Sequence, residues 1–153
     1  MKSFPIFVET KGRSCDGCKK CCEGWLTANI YGFAMNPTDG PCRFLAKTGC
    51  GIYPVRESLC KVFQCDWKEN NLIPYNMKPD LSNVIMMTKR LDKWIYIRFV
   101  LAGKDMSNHA YEYAKQLYKQ GKNVVYYDNS SKLQVLSNDQ AFIDKITPQL
   151  TLI

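Results

Sequence analysis

Residues 82–102 read SNVIMMTKRLDKWIYIRFVLA, and the architecture of the second half of the chain turns on them. Residues 82–90 and 94–102 carry the Val, Ile, Thr and aromatic content of strands, and the LDK between them reads as a tight turn. The stretch therefore predicts a hairpin. Side chains alternate along a strand, so Ile95, Ile97, Phe99 and Leu101 share one face, and Trp94, Tyr96, Arg98 and Val100 share the other.

Working towards the C-terminus, residues 106–123 read MSNHAYEYAKQLYKQGKN. Ser107 is placed to cap a helix. Ala110, Ala114, Leu117 and Tyr118 then recur at helical spacing, and Gly121 supplies a stop. NVVYYD (123–128) and KLQVLS (132–137) read as strands around the polar turn DNSS at 128–131. A last short helix is expected over 139–146, ended by Pro148. The element order β-β-α-β-β predicts an α+β fold in which one helix covers a small antiparallel sheet. Towards the N-terminus, KENNLIPYNMKPD (68–80) joins this part to a different one. The expected division is a cysteine-cluster module over 1–70 and an α+β module over 71–153.

The first module holds all eight cysteines, Cys15, Cys18, Cys21, Cys22, Cys42, Cys50, Cys60 and Cys65, spaced C-x2-C-x2-C-C-x19-C-x7-C-x9-C-x4-C. A chain of 153 residues with 46% apolar content buries an ordinary core without crosslinks. No secretory pattern opens the sequence and no apolar run reaches the ~18 residues that span a bilayer, so the expected compartment is the cytoplasm, where thiols stay reduced. Clustered cysteines in that setting point to metal. A C-x2-C pair wraps two thiolates around one ion, and Gly17 eases that turn. Four thiolates satisfy either tetrahedral zinc or a [4Fe–4S] cluster. Cys15, Cys18 and Cys21 have the ferredoxin spacing, but Cys22 follows at once and no proline follows it, which excludes a bacterial ferredoxin. In extended chain, Cys21 and Cys22 would point to opposite faces and serve different sites. Pro54 opens a helix that would carry Cys60, and Cys65 would lie about 140° further round unless that helix ends between them. All eight cysteines are therefore candidate ligands for zinc or a [4Fe–4S] cluster, with their partition open.

CDGCKKCC (15–22), CRFL (42–45), GCGIYPVRESLC (49–60) and Cys65 together resemble the YkgJ-type CxxCxxCC cysteine-cluster family. The resemblance spans about residues 15–67 and includes Gly49, Ile52, Tyr53 and Arg56. It implies a zinc- or iron-chelating domain. Where that family often has Arg-Pro, Glu57 follows Arg56 here. Flagellin lysine methylases are longer relatives, but no glycine-rich methyl-donor loop occurs in this chain, so methylase activity is not implied.

The formal charge is +7. Eight thiolates with two zinc ions would add a net −4 and bring the charge to +3, so most of the basic excess is accounted for by the ligands. No Lys or Arg run exceeds two residues, and a nucleic-acid partner is the less favoured reading. Base stacking on Trp94, Tyr96 and Arg98 is its one structural candidate. His109 is the sole histidine, so no Cys–His or Ser–His–Asp machinery can be built beyond that residue. It reads as a helix-start residue. Trp25 and Trp67 follow the two cysteine groups and read as core residues able to shield a metal centre. The sequence thus predicts a metal-binding protein of structural, redox or metal-handling role. The alternatives are a metal-dependent redox or group-transfer enzyme and a nucleic-acid-binding zinc protein.

Overall fold

A computed structural model describes residues 18–47, 49–63 and 65–151. Cys15 and its two neighbours Asp16 and Gly17 lie outside that range. The chain is mixed α+β. Its centre is a four-stranded sheet of β5 (Val84–Leu91), β6 (Trp94–Leu101), β7 (Asn123–Tyr127) and β8 (Leu133–Leu136), in spatial order β5-β6-β7-β8. β5 and β6 form the predicted hairpin, with Leu91 opposite Trp94 and Asp92 at φ +53 in the turn. β7 and β8 are also antiparallel, with Val125 opposite Val135.

The middle pair departs from the expected all-antiparallel sheet. β6 and β7 run parallel, with Tyr96 opposite Asn123 and Phe99 opposite Tyr126. The helix α4 (Asn108–Lys119) between them carries the chain back to the end where β6 began, so β7 must start beside the start of β6. Element order predicted the pieces. Strand direction was set by the length of this crossover.

The ends of α4 are those the sequence announces. Ser107 Oγ accepts from the Ala110 N–H at 3.2 Å. At the other end Gly121, at φ +86, donates its N–H to Tyr118 O, and Lys122 N–H reaches back to Leu117 O at 3.0 Å. That pair of bonds is the glycine-closed helix terminus, and only glycine enters it without strain. Ala110, Ala114 and Leu117 face the sheet over Val84, Met86, Phe99, Val124 and Tyr126.

The opposite face is also covered. Tyr96 and Val125 pack against Phe142, Ile146 and Leu150 of α5 (Gln140–Thr151), and Trp94 meets the Phe142 ring edge-on. The Trp94–Tyr96 face is therefore core and no base-stacking platform. α5 also outruns its predicted end and continues through Pro148. Proline removes one backbone donor there, but burial of Leu150 and the Tyr127 hydroxyl bond to Leu150 O hold the last turn in place.

The cysteine-bearing part is built from small pieces. β1 (Ala28–Ile30) pairs with β2 (Phe33–Met35), and β3 (Leu45–Ala46) pairs with β4 (Gly49–Cys50). Two short helices follow, α1 (Ser58–Val62) and α2 (Asp66–Glu69), and then α3 (Pro79–Ser82) leads into β5. Ile30, Met35 and Cys42 form a small core of their own. Trp67, Ile73 and Met77 pack instead into the core under α4. Among the described residues, no helix is long and apolar enough to cross a membrane.

Candidate functional site

The seven described cysteines fall into two groups. Cys22, Cys42, Cys50 and Cys60 converge around the small core. Cys22 and Cys60 pack against Ile30, Met35 and Cys42, and Cys22 O accepts the Cys42 N–H at 2.7 Å. Cys50 is brought in by β4, directly opposite Leu45, which packs on the same core. Burial pushes the Cys60 thiol above its ordinary pKa. The negative charges that Cys22, Cys42 and Cys50 can carry push it further, as does Glu57, so all three thiols lie within electrostatic reach of the fourth. The Phe44 N–H points at Cys42 Sγ at 3.4 Å, a contact suited to a thiolate.

Local backbone chemistry explains the convergence. Cys22 ends a 3₁₀ turn, Lys20–Cys22, and Gly24 follows at φ +99. A Cβ on Gly24 would stand 2.8 Å from the Gly40 carbonyl oxygen. The loop carrying Asn36–Gly40 therefore lies directly on the cysteine turn, and two residues later the chain delivers Cys42. Asn36 and Gly40 exchange backbone bonds of 3.2 and 2.8 Å that keep this loop closed.

The second group is Cys18, Cys21 and Cys65. Together with Trp67 and Ile85 they line a cavity of about 30 Å³. Trp67 is only 2% exposed and its Nε1 donates to Tyr75 O, so it serves as core and as a wall beside these thiols. The ammonium of the buried Lys78 lies 5.9 Å from the Trp67 ring centroid.

Two expectations about backbone change here. Cys21 and Cys22 sit in a 3₁₀ turn and not in extended chain, and their sulfurs are 4.0 Å apart. Their mutual hydrogen bond holds Cys22 down to about 7, against burial and the Glu23 carboxylate. The two groups therefore touch at this pair. Pro54 lies in a separate 3₁₀ turn, Tyr53–Val55, and α1 begins only at Ser58. Arg56 between them is extended and lays its guanidinium over the Tyr53 ring at 4.0 Å. The helix does end between Cys60 and Cys65, at Phe63, and the two thiols still join different groups. Cys60 rides on α1 and Cys65 caps α2.

Among the described residues, no three Cys, His, Asp or Glu side chains already stand in metal-holding geometry. His109 bonds a backbone carbonyl: its Nε2 lies 2.7 Å from Asn76 O at the start of α4. Trp25 is half-buried and donates to Glu23 Oε1. Asp66, which sequence reasoning left without a task, accepts from Thr88 Oγ1 at 2.7 Å. Burial raises its pKa and the Thr88 bonds oppose that rise. No sequence pattern marks the Thr88 pairing, because it joins residues brought together by the packing of α2 on β5. The comparisons add no relative: no family model, no curated protein and no solved structure matches the chain.

Proposed function

We propose that this protein binds metal through two neighbouring sets of cysteine thiolates. Cys22, Cys42, Cys50 and Cys60 form one set. Cys18, Cys21 and Cys65 form the other, with Cys15, three residues before Cys18, completing it. The observation that carries this reading is the gathering of Cys22, Cys42 and Cys60 from three separate stretches of chain onto one small core, with Cys50 within electrostatic reach of Cys60. Reduced buried cysteines need no such gathering to act as small hydrophobes. Four soft donors suit zinc and iron alike. The first set is complete in thiols and suits a closed tetrahedral zinc site or a [4Fe–4S] cluster. The small cavity beside Cys18, Cys21 and Cys65 puts open space next to the second set. The resemblance to the CxxCxxCC chelating family points the same way. The cytoplasm, which keeps thiols reduced, is the compartment this reading requires.

Anaerobic expression followed by metal analysis and a visible spectrum tests the reading. One or two zinc ions per chain and no colour would support two closed sites. A brown protein with about four irons per chain would place a cluster on the first set and raise a redox role. A protein isolated without zinc or iron, which takes up neither on reconstitution, would sink the proposal. A metal-dependent redox or group-transfer enzyme is the second reading, favoured by a large cleft that begins one residue beyond Cys65.

A further inference from the structure

On the sheet face that carries α4, α2 packs over β5 and α4 over β7. Among the described residues, the first half of β6 between them is left open, with Ile95 exposed. The gap is a cleft of about 660 Å³, within the size range of small-molecule sites. Its floor is apolar, formed by Met86, Ile97 and Leu117. Ile95, at 58% exposed, and Leu72, at 72%, stand at its rim, where large aliphatic side chains would otherwise be left against water.

The polar groups around this floor are not evenly distributed. Asp66 and Glu69, both from α2, open on one side. The amides of Gln116 and Gln120 and the single cation Lys122 stand on the other. The lining is thus net negative in a chain whose formal charge is +7. Glu69 is only loosely engaged, 3.8 Å from the ammonium of its neighbour Lys68 at the surface. Asp66 is held in place on the cleft wall by its Thr88 hydrogen bonds.

We propose that this cleft binds a small organic cation, a primary amine carried on an apolar body. The apolar body covers Met86, Ile97 and Leu117. The ammonium lies between the Asp66 and Glu69 carboxylates, where charge-assisted hydrogen bonds are strongest. The glutamine amides serve polar substituents on the far side. This inference stands independently of the metal reading.

Tryptamine is a suitable probe, with its neutral alcohol counterpart tryptophol and the anion indole-3-propionate as controls. The full-length protein, labelled at Ile, Leu and Met methyls, is titrated with each and followed by NMR. Saturable shifts at Ile97, Leu117 and Met86 are expected with tryptamine, and at least about tenfold weaker binding of both controls. Glu69→Gln and Asp66→Asn should each weaken tryptamine about tenfold. Lys122→Gln should tighten it. Metal content and thermal midpoint are measured on every variant, and Glu69 and Lys122 are exposed, so their substitution leaves the fold intact. Equal affinity for tryptamine and tryptophol overturns the proposal. So do methyls that stay unmoved, or tryptamine affinity that is the same in Glu69→Gln, Lys122→Gln and the parent protein.

Discussion

Cys22 occupies a crossing point. Its carbonyl holds the Cys42 amide, its thiol joins the first set, and its sulfur lies 4.0 Å from Cys21 of the second. The turn that sets this geometry depends on Gly24. Gly24→Ala combines a left-handed φ with a Cβ pressed on the Gly40 carbonyl, so a loss of about 1–3 kcal/mol in stability is expected. Thermal unfolding with metal analysis would check it, and the loss of metal should accompany the loss of stability. Cys60→Ser and Cys65→Ser probe the two sets separately. Each should lower metal content by about one ion or one cluster per chain, and His109→Ala should leave it unchanged. If Cys60→Ser and Cys65→Ser each keep full metal, those thiols are not ligands. The cysteine cluster itself was legible in sequence, because eight cysteines fall within 51 residues. The grouping of the seven described thiols was not. It depends on a 3₁₀ turn at 20–22 and on a helix break near Phe63, and both are decided by packing.

Among the elements, α4 was the most legible, since its cap, its apolar stripe and its glycine stop all agree. Ser107→Ala should cost about 1 kcal/mol, read by urea denaturation, because the Ala110 N–H would lose its partner. α5 is capped by Asp139, whose Oδ1 accepts from Ala141 N–H at 3.0 Å and whose Oδ2 accepts from Trp94 Nε1 at 2.9 Å. The Trp94 bond, followed by the backbone N–H groups of Phe142 and Ala141, holds this carboxyl below its ordinary pKa. A depressed carboxylate stabilises the fold above its unfolded pKa and loses that contribution as pH falls through the folded one. Asp139→Asn should therefore lower the urea midpoint near about pH 6, and the difference from the parent should shrink as pH falls through and below the ordinary carboxylate range. The end of α5 was misread because proline rules are local. Phe142, Ile146 and Leu150 keep a four-residue spacing that buries one stripe through the proline.

In the whole molecule, each face of the sheet packs against a helix, α4 on one side and α5 on the other, and the cysteine part adds a small core beside them. Phe142→Ala, at the centre of the α5 side, should cost about 3–5 kcal/mol and lower the thermal midpoint without removing metal. The α+β character could be read from periodicity. The parallel middle pair could not, since direction follows from where α4 returns the chain. That same order, β5-β6-β7-β8, makes β5 and β8 the outer strands among the described residues, and an outer strand is a template on which another chain could stack. β8 limits the hazard by being only four residues long. β5 is twice that length, but α2 and α3 pack on it, and its far end exposes Lys89 and Arg90. Two adjacent like charges repel a second copy that tries to add in register. Replacing both by Val would leave every internal contact of the core in place, yet light scattering on the warmed protein should rise well before the parent's does. Those two residues earn their place through the assembly they prevent.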